Sequence, residues 1–451
     1  MSGASVKGEN VATVIKDITK LPEPFARSGG VSGAGLFATL SRPHMVIILW
    51  VGVIIHMVAL SHQLSSRADR SDFSVYYASG LAVREHRNPY TTHFDRVAPT
   101  LHLKTDPIHY ATDPPTFLLF VEPFTLVPLG QAFWLWTALN LAALIASLLL
   151  LLRGAGLPVW TALALAALAV LYPPVGESLF WGQSKIFVLL ILVLMMRWMA
   201  GGKDAAAGLI LGIGVLLRGF PLLMVGYLVL RRRWRAIVYT VISIVAGALL
   251  TFAVLGVSST LGFINGYRLV TELRFLAMPV NVSLGAFVSR IYWYSFGAHS
   301  GFSNSIRLVL VAAAEVGLLA LTVRATVKSR DIADLDWRAF SLWVITSVML
   351  SPTAWFHYLV LALIPLIQMA VAANRGRINS RANWMAAASV LLVALSTSAR
   401  SFFGPLPHGA LQLAVVECSF PCVALVYVSA YWFAADQVPD VCRTAEIEGS
   451  N

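Results

Sequence analysis

Long apolar runs separated by short polar breaks dominate the chain. A window of about 19 residues, the usual length for detecting a membrane span, places roughly 12 apolar segments along it. They cover residues 44–62, 131–152, 157–172, 186–199, 204–217, 221–230, 236–255, 306–323, 340–350, 356–373, 384–396 and 411–433. The residues before the first span are polar and carry Lys7, Lys16, Lys20, Arg27 and Arg42, too long and mixed a stretch for a signal peptide. One connection stands out. Residues 63–115 carry alternating charges and several aromatics and contain no run of spanning length. Within it, residues 73–83 suggest a short amphipathic helix lying on the membrane. Residues 116–129 are apolar but too short to cross, which suggests an interfacial or partly inserted helix. The expected architecture is therefore all-α and polytopic. It has a tail at 1–43, a membrane domain at 44–434 whose first external loop is 63–115, and a second tail at 435–451.

Composition agrees with this pattern. Of the 451 residues, 58% are hydrophobic and 12% charged, and the mean hydropathy is +0.74. Soluble domains carry about twice that charge. Three cysteines exclude a disulfide scaffold, and their spacing is not that of a zinc site.

The formal charge of +11 would suit a nucleic-acid partner only if the basic residues clustered on one surface. They are instead scattered between apolar runs, and a nucleic-acid partner is not expected. With a cytoplasmic N-terminus, about 20 of the 33 Lys and Arg fall on the inside, as the positive-inside rule requires. The run Arg231-Arg232-Arg233-Trp234-Arg235 contains no acid and reads as a topology anchor. In the first external loop, Arg67, Arg70, Arg84, Arg87, Arg96 and Lys104 are balanced by Asp69, Asp72, Glu85, Asp95, Asp106 and Asp113. Both termini are expected in the cytoplasm.

This topology gathers the distinctive polar clusters at the external ends of spans. They are Asp72 with Tyr76 and Tyr77; Glu177 with Gln183 and Lys185; Arg218 before Gly219-Phe220-Pro221; Asn281-Val282-Ser283; and Ser351-Pro352 through His357-Tyr358. One carboxylate beside lone cations suits an anionic lipid head group. No Gly-rich phosphate loop points to a nucleotide. No cofactor is implied, and a divalent metal ion stays open. Each residue also has a structural reading. Asp72 suits a helix N-cap, Lys185 and Arg218 suit snorkelling at span ends, and His357, Tyr76 and Tyr77 suit an interfacial aromatic belt. Glu177 suits an exposed loop carboxylate. Glu315 and Glu417, inside apolar runs, suit pairing with neighbouring helices.

The ordered motifs carry a family resemblance. Asp72-Phe73…Tyr76-Tyr77-Ala78-Ser79-Gly80…Asn88-Pro89-Tyr90, Asp113-Pro114-Pro115, Gly182-Gln183, Pro221-Leu222-Leu223…Arg231-Arg232-Arg233-Trp234 and Ser351-Pro352…Trp355…His357-Tyr358 resemble the succession in glycosyltransferase family 87. These are polytopic enzymes of the GT-C type. The resemblance implies inverting transfer of a hexose, mannose in the first place, from a polyprenyl-phosphate donor to a glycolipid or glycan acceptor. It implies that this occurs on the external face of a bacterial inner membrane. It casts Asp72 as the catalytic base and puts His357 near the donor. Lys185 stands where the pattern has an amide, and Arg218 where it has Lys. Lys185, Arg218 and His357 are the expected phosphate ligands, and Tyr76, Tyr77, Glu177 and Gln183 the expected sugar or acceptor contacts. A secondary transporter of about 12 spans is the rival reading, and a lipid-linked-sugar flippase or polymerase a third.

Overall fold

A computed structural model describes residues 41–97, 109–270, 281–296, 301–328, 336–374 and 419–435, together with the isolated positions 39, 278 and 388. Among these residues every regular element is helical, apart from a single antiparallel bridge between Asn281 and Trp355.

In chain order the helices are α1 (Pro43–Leu64), α2 (Asp72–Arg84), α3 (Pro115–Val121), α4 (Leu129–Leu152), α5 (Val159–Leu171) and α6 (Pro173–Phe180). They continue with α7 (Lys185–Ala200), α8 (Asp204–Leu217), α9 (Met224–Leu230), α10 (Trp234–Val270), α11 (Leu284–Phe296) and α12 (Gly301–Lys328). The last are α13 (Asp336–Met349), α14 (Leu363–Asn374) and α15 (Ser419–Ala435). Proline begins several of them. Pro43, Pro115 and Pro173 occupy first-turn positions, where the missing N–H costs nothing. A 3₁₀ turn at Phe220–Leu223 leads into α9, and another at Phe356–Ala362 leads into α14.

Among the described residues, five helices are long and apolar enough to cross a membrane, or six if the bent pair α5–α6 is one span. This is fewer than the roughly 12 apolar segments in the sequence, and helix length explains the difference. The segments at 186–199, 204–217 and 340–350 become helices of 16, 14 and 14 residues. At 1.5 Å per residue these reach about 21–24 Å, short of a hydrocarbon core of about 30 Å. The segment at 384–396 and the start of 411–433 lie outside the described residues.

The side chains divide accordingly. On α1, Ile47, Ile48, Val51, Ile54, Ile55 and Val58 are exposed, and α10 exposes Val238, Val241, Ile242, Val245 and Leu249. A water-facing surface would not carry apolar faces of this extent, so these are the faces turned to lipid. By contrast α7 is packed on nearly all sides, with Ile186, Val188, Leu189, Leu192 and Val193 buried. Helices α8 and α10 meet through small residues. A Cβ on Gly208 would lie 2.1 Å from the Ala236 carbonyl oxygen, and one on Gly212 would lie 2.4 Å from the Ser243 Cβ. This is the small-xxx-small contact that lets helices approach in lipid.

The segment expected to form the first external loop departs from expectation in one respect. The helix expected over residues 73–83 forms as α2, but it does not lie on the surface. Ten of its thirteen residues are buried. Its small residues explain this. Gly80 lets the backbone of Glu122 approach, where a Cβ would lie 3.3 Å away, and Phe73, two turns earlier on the same face, packs against Trp136, 5.2 Å between ring centroids.

Candidate active site

A cavity of about 1020 Å³ opens beside the N-terminus of α2. Polar side chains in its wall include Asp72, Tyr76, Asp113, Gln183, Lys185 and Arg218. Apolar ones include Val215 and Leu216 of α8, Leu222 and Leu223 of the following turn, and Ala248 of α10. Because α10 is among the helices long and apolar enough to cross a membrane, the wall takes in residues of a candidate span.

Asp72 is the first residue of α2. Ser71 takes the N-cap position, and its hydroxyl donates to the Ala68 carbonyl rather than capping the helix. The carboxylate thus sits in the first turn, where the helix dipole favours negative charge. The Phe73 N–H donates to the Trp181 carbonyl at 3.3 Å, which ties α2 to the turn before α7. That turn requires Gly182, whose φ is +64°. The Gly182 carbonyl accepts the Trp136 indole N–H at 2.8 Å.

The next residue, Gln183, links three site residues. Its Nε2 donates to Asp72 Oδ2. Its Oε1 accepts the Tyr76 hydroxyl at 3.0 Å and Lys185 Nζ at 3.3 Å. The amide orientation follows from the partners, since an ammonium only donates and a carboxylate only accepts. Burial pushes the Asp72 pKa up to about 6, against the opposing pull of the Gln183 hydrogen bond and of Lys185. Burial likewise holds the Tyr76 phenol well above its usual value, so it acts as a donor. Lys185 is itself buried, with its ammonium 4.4 Å from the centre of the Tyr358 ring.

Arg218 ends α8 in extended backbone, just ahead of Pro221. Its guanidinium is held at three points. Nε donates to Ser184 Oγ at 2.7 Å, Nη1 donates to Asp113 Oδ1, and the plane lies 4.2 Å from the Phe117 ring centre. The remaining nitrogen, Nη2, is buried without a hydrogen-bond partner among the described residues, as is Asp113 Oδ2. Burial alone would lower the Arg218 pKa, but the Asp113 charge outweighs it and Arg218 stays protonated.

Asp113 is the site residue that sequence reasoning passed over. It was counted among the balancing acids of the loop and as part of the Asp113-Pro114-Pro115 motif, not as a site residue. The double proline was the available signal. It forces an extended approach before α3, and the Tyr90 hydroxyl fastens the Asp113 carbonyl at 2.7 Å.

His357 reaches the cavity from the 3₁₀ turn after residues 351–355. It is buried, and its Nε2 has no partner among the described residues. Asn281 fixes that approach. Its Oδ1 accepts from the Ala354 and Ser283 N–H groups at 3.1 Å, and its Nδ2 donates to Pro352 at 3.4 Å. Glu177 lines the cavity and accepts the Trp181 indole N–H at 3.3 Å. Tyr77 lies elsewhere. Its hydroxyl donates to the Val127 carbonyl, and it is not part of the cavity wall. Arg290 braces the Met278 and Asn281 carbonyls. The Arg268 side chain and all of Arg274 lie outside the described residues. Among the described residues, no group of three His, Cys, Asp or Glu side chains converges as a metal site.

Of the expected site residues, seven therefore share one cavity: Asp72, Tyr76, Glu177, Gln183, Lys185, Arg218 and His357. The sequence profile of glycosyltransferase family 87 matches residues 111–352, more than half of the chain. The chain belongs to glycosyltransferase family 87. The match contains Asp113, Glu177, Gln183, Lys185 and Arg218, while Asp72 and His357 flank it. Two curated relatives are alpha-(1->3)-arabinofuranosyltransferases of Mycobacterium tuberculosis, strains CDC 1551/Oshkosh and ATCC 25618/H37Rv. Each is 27% identical over 219 residues, covering 47% of this chain and 47% of the relative. The similarity thus spans about half the length of these relatives. No solved structure matches.

Proposed function

We propose that this glycosyltransferase moves a sugar, with inversion, from a polyprenyl-phosphate donor to a hydroxyl of a glycolipid or glycan. The supporting observation is that one cavity wall holds a carboxylate and basic side chains together with apolar side chains of α8 and α10. A donor of this class likewise joins a charged phosphate to an apolar chain. In this reading Asp72 takes the proton of the incoming hydroxyl. The oxygen forms a bond to the anomeric carbon as the bond from that carbon to the phosphate oxygen breaks. The lipid phosphate leaves with the bonding pair, and the proton stays on Asp72. No general acid is needed, because phosphate departs as an anion. Positive charge at the departing oxygens is needed; in this reading Arg218 supplies it through Nη2, and Lys185 and His357 add hydrogen-bond donors from the same cavity wall. A base with a pKa near 6 is ionised at neutral pH yet keeps driving force for proton transfer.

Mannose is the sugar implied by motif resemblance, and arabinofuranose is named for the relatives. The proposed setting is a GT-C-type domain of about 12 spans in a bacterial inner membrane, both termini cytoplasmic and the cavity facing outward. The test uses purified protein in detergent with polyprenyl-phosphate arabinose and polyprenyl-phosphate mannose. Transfer from one of them, absent in Asp72→Asn, is the expected result. No transfer from either, together with ion-coupled uptake in sealed vesicles, would establish the transporter instead.

A further inference from the structure

Most large aromatic side chains around the cavity are buried in packing. Trp136 and Phe117 are fully covered, and Trp343 is 2% exposed. Trp181, like Trp355, is half-buried and forms part of the cavity wall. Its indole is also fixed in place. The N–H donates to Glu177 Oε1 at 3.3 Å. The Arg67 guanidinium lies 4.6 Å from the ring centre and 3.9 Å from that of the neighbouring Phe180. Arg67 is not part of the cavity wall, so it backs the ring from outside the cavity. The Trp181 carbonyl meanwhile receives the Phe73 N–H, which places the Trp181 backbone next to the helix start that carries Asp72, and both side chains line the cavity.

We infer that Trp181 is a stacking platform for a sugar ring of the acceptor. The inference rests on the reaction proposed above and adds the acceptor subsite to it. The C–H face of a furanose or pyranose is apolar while its edge is polar. A held indole with a carboxylate at its rim matches both, since the ring packs on the face and Glu177 accepts a hydroxyl with its remaining capacity. Position supports the acceptor rather than the donor. In an inverting displacement the incoming hydroxyl approaches opposite the departing phosphate. Arg218 and Lys185 mark the phosphate, and Trp181 adjoins the base. Stacking here needs no change of the enzyme's shape, because Arg67 and Glu177 have already fixed the ring.

The test compares Trp181→Leu and Trp181→Phe with the unmodified protein. The probes are octyl di-arabinofuranoside and octyl dimannoside as acceptors, each with the donor that supports transfer. Leucine keeps apolar bulk but has no flat face; phenylalanine keeps the face and loses the N–H. The expected result is an acceptor KM raised about tenfold or more in Trp181→Leu, with donor KM unchanged and most of the loss recovered in Trp181→Phe. Arg67→Met, which frees the ring, should raise acceptor KM less, by a few-fold. An unchanged acceptor KM in Trp181→Leu overturns the inference. So does a parallel rise in donor and acceptor KM, which would mark a packing role. If the unmodified protein transfers to neither acceptor while still binding a polyprenyl-phosphate sugar, the acceptor inference fails and the donor reading stands. If it binds no such donor, the reaction itself fails.

Discussion

Gln183 donates to the Asp72 carboxylate from the amide end that Lys185 cannot use, across 111 positions of sequence. The carboxylate is thereby aimed by a neutral group, and it remains free to take a proton. Asp72→Asn should remove transfer, with a loss of at least 10²–10⁴-fold, the usual range of a general base. The variant should still purify as a monodisperse membrane protein, because an amide replaces a carboxylate that the fold already disfavours as an anion. Turnover in detergent, compared with thermal unfolding of the same sample, checks both halves.

The elevated Asp72 pKa also sets a pH dependence. Burial raises it to about 6, so kcat/KM should rise with pH and level off above that value. Stability should run the other way. The native state holds a proton that the unfolded chain releases nearer pH 4, so this group's contribution is full below that and is lost as pH climbs through 6. Gln183→Leu removes a donor that favours the charged form. Its acid limb should move upward, toward pH 7, since a hydrogen bond to a charged group is worth about 1.5 kcal/mol or more. A pH profile of the variant that coincides with the parent profile would show that Gln183 does not tune the base.

Arg218 should tolerate no substitute. Lysine has one charged centre and cannot hold Ser184 and Asp113 while offering a third nitrogen to the cavity. Arg218→Lys is expected to lower transfer by tenfold or more, chiefly through donor KM. Arg218→Ala goes further. It leaves Asp113 buried without its ion-pair partner and should lose about 3–5 kcal/mol of stability. Adding Asp113→Asn to Arg218→Ala should return part of that loss, because the uncompensated charge is gone. Thermal denaturation of the four proteins measures the coupling directly.

The sequence pattern revealed the helices that face lipid, because a lipid-facing helix must be apolar over a spanning length. Helices α1 and α4 appear within a few residues of their expected positions, and α10 starts two residues early but continues to Val270, past a kink at Gly256. It did not distinguish a true span from a buried helix such as α7, since both are apolar on all sides. Helix α2 read as a surface element for a related reason. Serine, alanine and glycine look polar or neutral in a pattern, yet they permit burial through close approach. Single charged residues at polar breaks were legible, and most of them meet in one cavity. Asp113 was not, because it was counted as a loop charge and its partner lies 105 positions away. Pairing across such a distance leaves no local signature.

The turn that carries Gln183 offers the sharpest test of how the fold builds the site. Gly182 has φ of +64°, a conformation that costs an L side chain about 1–2 kcal/mol. A Cβ there would also lie 2.7 Å from the Phe73 Cβ and 3.0 Å from the Phe133 ring. Phe73 follows Asp72 directly, so relieving this overlap moves the start of α2 relative to Gln183. Gly182→Ala is therefore expected to lower the melting temperature and to reduce transfer beyond what the stability loss explains. Gly130, in the first turn of α4, is the matched control. A Cβ there meets nothing within 4 Å, and the backbone is helical. Gly130→Ala should leave transfer unchanged and raise stability slightly, by about 0.4–1 kcal/mol. Equal behaviour of the two alanine variants would mean that the Gly182 turn does not hold the carboxylate in place.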